Sequence, residues 1–245
     1  MRAAFVALAA FALSFGVVVA CSDETGTVTP DEGGTEGGID PESGADAGYD
    51  GPDPSMLSPT GCLLRTTDFQ AGAKAENVAR TDIQGAVDWE NVEGALAEDG
   101  DLATVTLDDG QESAELRVSQ FGFNLPDSVE TWGIEVQLKR RAPDGGIEDA
   151  RVDLDIEGKQ VGWKYVKGPW PTSIIGTHHY GQKVDTWRVD LYPADVNKET
   201  FAAKLWVRKS PDAGPGPVVA QVDSLKVAVW YCPEPNVRYP VPEQQ

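Results

Sequence analysis

Period-two alternation is the feature that most narrows what this chain can become. In ETWGIEVQLKR, Trp132, Ile134, Val136 and Leu138 share one face of an extended segment. RVDLDIEG sets Val152, Leu154 and Ile156 against carboxylates, and TWRVDLY aligns Trp187, Val189 and Leu191. FAAKLWVRK aligns Phe201, Ala203, Leu205 and Val207, and SLKVAVWYC aligns Leu225, Val227, Val229 and Tyr231. One buried and one wet face per strand is the signature of antiparallel sheets. Further strands are expected at Ala103–Leu107 and over 114–123, where Phe121-Gly122-Phe123 reads as a bulge that switches side-chain parity before Pro126 ends the strand. Asp108-Asp109-Gly110, Asp144-Gly145-Gly146, Glu157-Gly158 and the 211–217 segment supply turns, and Pro193–Asn197 reads as one more. About eight short strands in one domain predict an all-β, antiparallel two-sheet sandwich of jelly-roll type. Residues 72–88 fit either a short helix or an irregular lead-in.

The first twenty residues are a different kind of segment. Arg2 precedes an uninterrupted apolar stretch ending Val18-Val19-Ala20-Cys21, the layout of a secretory signal. The stretch is long enough to span a bilayer, since about 18–20 apolar residues suffice. The junction, however, resembles the lipobox of bacterial lipoproteins. That resemblance implies cleavage before Cys21, with diacylglycerol on its thiol and an acyl group on its new amine. Several acyl chains make a durable membrane anchor, at about 0.8 kcal/mol per buried methylene. Ser22, not Asp, follows the cysteine. By resemblance to the sorting rule of enterobacterial lipoproteins, this points to the outer membrane, on its periplasmic or cell-surface side.

Residues 21–61 form the expected tether. From Ser22 onward it holds ten carboxylates, no Lys or Arg, and repeated Gly and Pro. Such a segment buries too little apolar surface to offset its ordering entropy, and its like charges extend it into a spacer. No EF-hand-type calcium loop is present. The chain carries a formal charge of −20; without the tether's ten acids and Arg2, thirty acids face nineteen bases, or −11. That balance argues against nucleic acid as a partner and against direct docking on anionic lipid. The sandwich is assigned to residues 62–235 and a flexible tail to 236–245.

Of the three cysteines, the resemblance implies that Cys21 is taken by lipid, which would leave Cys62 and Cys232 as an even pair in an oxidising compartment. A bridge between them would staple the start of the folded region to its last strand.

A wider pattern runs through the folded part: Trp89-x-Asn91, Asp99-Gly100, Ser113-x-x-Leu116, Phe121-Gly122-Phe123-x-x-Pro126, Gly133-Ile134-x-Val136, Trp170, Tyr180-Gly181, Asp185-x-Trp187, Pro193-x-Asp195-Val196-Asn197, Phe201 and Val222-Asp223-x-Leu225-x-Val227. It resembles a β-sandwich module of bacterial surface, secreted and phage tail-associated proteins, over about 87–231. Gln182 stands where that pattern often has a second glycine. The resemblance implies fold and context, and no catalytic residues come with it.

No GxSxG elbow, HExxH helix or phosphate-binding glycine loop is present, so no cofactor, metal or catalytic group is assigned. His178 and His179 are adjacent on an extended segment and point to opposite faces. Aromatic residues give the stronger lead. Trp206 is out of phase with Phe201–Val207 and lies with Lys204 and Arg208 on the wet face, where an indole flanked by cations stacks on sugars or on peptide aromatics. Trp230 is also out of phase, and a Cys62–Cys232 bridge would cover it. The long connection GWKYVKGPWPTSIIGTHHYG gathers Trp163, Tyr165, Trp170 and Tyr180, which either bind a ligand or plug one end of the sandwich. The favoured expectation is a non-catalytic binding or adhesion module with a glycan or protein ligand at the envelope. The alternatives are a carbohydrate-active enzyme on the same fold and a structural subunit of an envelope assembly.

Overall fold

In the computed structural model, which describes residues 51–157, 159–164 and 168–241, the alternating segments form two antiparallel sheets packed face to face. The strands are β1 (Arg65–Thr66), β2 (Gln70–Ala71), β3 (Lys74–Val78), β4 (Ala103–Leu107), β5 (Glu115–Ser119), β6 (Glu130–Arg141), β7 (Ile147–Ile156), β8 (Lys159–Lys164), β9 (Gly176–Gly181), β10 (Ala202–Lys209) and β11 (Val218–Cys232). A single helical turn, α1 (Pro193–Val196), fills the expected turn before β10. Sheet I runs β11-β6-β9, with β4, β2 and β1 placed in succession along the other edge of the long β11. Sheet II runs β3-β5-β10-β7-β8. The all-β sandwich is the fold that the period-two pattern predicts.

The core lies between the sheets and uses the expected alternating sets. Ile134, Val136 and Leu138 of β6 and Leu225, Val227 and Val229 of β11 face Val152 and Leu154 of β7 and Ala203, Leu205 and Val207 of β10, all essentially excluded from solvent. Each such Val, Leu or Ile contributes about 1.5–3 kcal/mol by leaving water. A register shift between Trp206 and Val207, opposite Asp149 and Arg151, flips the parity of β7. As a result Val152 and Leu154 point inward on one side of the bulge, and Ile147 and Asp149 on the other.

The disulfide joins Cys62 to Cys232, with Cα atoms 5.9 Å apart, and Trp230 packs against it as expected. Residues ahead of this bridge also belong to the folded body. Residues 54–61, placed in the spacer on composition, fold back so that Leu57 (7 % exposed) bridges to Leu63, and the buried Ser58 receives the Cys62 backbone N–H at 3.0 Å. The tail beyond 235 returns as well: the Tyr239 N–H donates to Gly61 O at 2.7 Å, packed so closely that only a glycine fits at position 61. Residues 1–50, which include the leader, Cys21 and most of the spacer, and residues 242–245 lie outside the described residues.

Three local expectations give way. Residues 72–88 open with β3, a strand where a short helix or an irregular lead-in was expected, and only 79–88 is irregular. Strand β5 stops at Ser119, because Gln120 (φ +60) and Gly122 (φ +71) turn the chain so that Phe121 and Phe123 both reach Phe201, with ring centroids 6 Å apart. The TWRVDLY segment is a loop: Trp187 and Arg188 adopt φ of +56 and +62, and the reversal drives the indole inward to donate to Ile134 O at 2.9 Å.

Candidate ligand-binding surface

Strand register builds the site on the outer face of sheet II. Because side chains alternate, the residues opposite the core set project together, and pairing places them in rows. One row crosses all five strands: Trp163 is opposite Asp153, Asp153 opposite Lys204, Lys204 opposite Arg117, and Arg117 opposite Glu76. In the next row Arg151 is opposite Trp206.

The cations of these rows interleave with the indoles. The Trp206 ring lies 4.6 Å from the guanidinium carbon of Arg80 and 5.2 Å from that of Arg151. Trp163 in turn lies 5.3 Å from Arg151 and 5.5 Å from Arg188. The sequence Arg80, Trp206, Arg151, Trp163, Arg188 is therefore a ladder of alternating guanidinium and indole, each contact contributing about 0.5–2 kcal/mol. Carboxylates hold two of its arginines and the neighbouring Lys204. Arg80 donates to Asp82 (3.1 and 2.7 Å) and to Glu112, Arg151 Nε donates to Asp153 at 2.7 Å, and Lys204 pairs with Glu115 at 2.9 Å. Above Trp206 the ladder leaves a hollow of about 260 Å³, walled by Arg80, Asp82, Glu115, Arg151 and Gln160.

Asp153 lies beneath this surface with no solvent exposure, and its Oδ2 has no hydrogen-bond partner. Burial pushes its carboxyl up to about 6; Arg151 and Lys204 oppose that shift, and Glu115 adds to it.

Of the five aromatic residues expected to bind ligand, the four that are described do not converge. Trp206 is on the outer face, as its phase requires, but only 5 % of it is exposed because two arginines roof it, so it offers no open stacking platform. Trp163 is half-buried on the same face. Tyr165 lies outside the described residues. Trp170 (2 % exposed) and Tyr180 (fully buried) point the other way, into the sandwich. There the Trp170 Nε1–H donates to Asp149 Oδ1 at 2.8 Å and the Tyr180 hydroxyl to Oδ2 at 2.5 Å, while Arg140 pairs with the same carboxylate. Burial and the neighbouring Asp149 charge raise the Tyr180 phenol well above its ordinary range. These two residues plug the end of the sandwich and hold the loop between β8 and β9.

His178 is opposite Leu138 and His179 opposite Gln137, so the pair divides between faces. His179 Nδ1 lies 2.7 Å from Glu135 and its ring packs edge-on to Phe69. Among the described residues no trio of His, Cys, Asp or Glu is arranged to hold a metal.

Sequence reasoning missed Arg80, Arg151 and Arg188. A usable signal was present for Arg151, which shares parity with Asp153 and Asp155 in RVDLDIEG and so belongs to the wet face. Arg80 and Arg188 reach the ladder from loops, and no periodicity marks them.

No family model matches the sequence, and no curated protein matches it. Among solved structures it is similar to the CBM36-1 domain of a multidomain xylanase from the hindgut metagenome of Trinervitermes trinervoides. That match has 13 % identity and a TM-score of 0.20, over 68 % of this chain and 95 % of that one.

Proposed function

We propose that this chain is a lipid-anchored, non-catalytic binding module of the bacterial outer membrane. Cys21 carries the acyl chains, the acidic spacer holds the body away from anionic headgroups, and the outer face of sheet II engages a glycan or protein ligand. The observation that supports the binding surface best is the ladder itself. Two indoles and three guanidinium groups alternate on the outside of a sheet, away from the core they could have filled, and Trp206, Arg80 and Arg151 among them line a hollow. Aromatic and arginine side chains concentrate where proteins bind, because they bring large contact area and directional donors at low entropic cost.

Two experiments test the two parts. Labelled palmitate should enter the wild-type chain and not Cys21→Ser; equal labelling, or an intact leader by mass spectrometry, overturns the anchor. The full chain bearing Cys21→Ser, applied to a glycan array and to cross-linking in intact cells, should capture a ligand, and Trp163→Ala should lose it. Silence in both assays, or capture unaffected by Trp163→Ala, overturns the binding surface.

A further inference from the structure

We infer that the outer face of sheet II selects an acidic polysaccharide, gripping sugar carboxylates through Arg151 and Arg188 on the Trp163 side of the ladder. This rests on the proposed binding role and names its ligand class.

The first observation is unused donor capacity. Among the described residues Arg188 makes no ion pair and no hydrogen bond, and its one partner is the Trp163 ring. Arg151 spends only Nε, on Asp153, which leaves both of its terminal nitrogens free beside the hollow. A guanidinium held against an indole keeps its planar fork of N–H donors, and the complement of that fork is a two-oxygen anion such as a carboxylate. By contrast, the carboxylates that wall the hollow are already satisfied by cations: Asp82 by Arg80, and Glu115 by Lys204.

The second observation is in the sequence. Strand β8, the edge strand of sheet II that carries Trp163, holds Lys159 and Lys164 and no Asp or Glu, in a chain with 40 acids. With Arg151 and Arg188 against Trp163, this edge is a short cationic strip that repels an anion less than the acidic remainder of the chain does.

Global charge then decides between polyanions. Charges are screened beyond about 10 Å at 0.1 M salt, so a sugar carboxylate beside Trp163 responds to Arg151 and Arg188 more than to acids farther away. A polymer charged as densely as duplex DNA, with one phosphate per ~1.7 Å, extends past the strip into acidic surface and is repelled. Spaced carboxylates, with sugar rings between them, fit a short cationic strip.

The test uses the full chain bearing Cys21→Ser, with polygalacturonate as the uronate polymer, a sulfated glycan, neutral dextran and duplex DNA as probes. Polygalacturonate should bind, more weakly as salt rises, with dextran and DNA at least tenfold weaker. Arg188→Gln should weaken uronate binding about tenfold, and Arg151→Gln with Arg188→Gln more, while Arg188→Lys should recover only part because it lacks the fork. Urea midpoints unchanged by the Arg188 variants exclude a folding defect. Preference for sulfate over carboxylate, equal DNA binding, or Arg188→Gln binding like wild type each overturns the inference. Trp163-dependent capture of a neutral glycan overturns it too, while leaving the proposed binding role standing.

Discussion

Arg140 and Asp149 form an ion pair across the sandwich, with β6 supplying the cation and β7 the anion, and neither side chain is exposed. The carboxylate is saturated by Arg140, Trp170 and Tyr180, and the Arg140 guanidinium lies 4.8 Å from the Trp170 ring. Among the described residues Arg140 Nε and Nη2 have no hydrogen-bond partner. The pair therefore depends on that one carboxylate, and removing either partner strands a buried charge. Asp149→Ala should cost about 3–5 kcal/mol in urea unfolding. Arg140→Leu combined with Asp149→Leu should cost much less than the two single changes added together. Additive losses in that double-mutant cycle would show that the two charges are not coupled.

The disulfide closes a loop of 170 residues. In the chain-entropy model a loop of that size contributes about 5 kcal/mol, chiefly by restricting the unfolded chain. Cys62→Ala with Cys232→Ala should lower the melting temperature by on the order of 10 °C, since about 1 kcal/mol shifts a domain of this size by 2–4 °C. The Leu57 and Tyr239 segments clasp the same corner, so they should gain amide exchange before the core strands do. Uniform exchange across the domain would refute that order.

What was legible in the sequence was the part written in period two. Val152, Leu154, Ala203, Leu205, Val227 and Val229 occupy the core as their spacing requires, and Ala103–Leu107 is a strand end to end. The glycine turns at 110 and 145–146 were legible, but positive φ at residues other than glycine was not. Trp187 continues an alternating pattern with Val189 and Leu191, yet its left-handed backbone makes it a plug. Register was also hidden: Arg151 meets Trp206 only because β7 pairs with β10 through a bulge. Composition marked 54–61 as spacer because Pro, Ser and Gly dominate it, but Leu57 and Met56 backbone contacts hold it on the body. Trp170 and Tyr180 showed only that aromatics cluster, and their burial follows from Asp149, a charge the alternation did not place inside.

The Trp187 plug depends on a glycine. Gly181 has φ +79, and a methyl group there would meet the Ile134 carbonyl and the Trp187 indole. The left-handed conformation explains why glycine falls at 181; Gln182, the position where the wider pattern often has a second one, has no positive φ and needs none. Gly181→Ala should destabilise the domain by about 2 kcal/mol or more and shift Trp187 emission toward the red as the indole gains solvent. Gln182→Gly should leave emission unchanged. An unshifted spectrum in Gly181→Ala would mean the indole tolerates the intrusion.

Asp153 gives the fold a pH dependence of defined sign. Its carboxyl titrates near 6 when folded and near 3.8 as an isolated group, so between about pH 4 and 6 the folded state binds more protons than the unfolded one. Stability contributed by this group is therefore complete below pH 4 and falls as pH rises to 6, beyond which a buried anion persists at a cost on the order of 2–3 kcal/mol. Asp82, Glu76 and Glu98 have carboxyls lowered by their cation partners and act in the opposite sense, so the net curve of the wild type mixes both. Subtraction isolates the one residue. Urea unfolding free energy of wild type minus that of Asp153→Asn should decline from pH 4 to 6 and be flat above 7, and the side-chain carbon of Asp153 should titrate near pH 6 by NMR. A flat difference curve, or titration below pH 4, would show that Arg151 and Lys204 outweigh burial at this site.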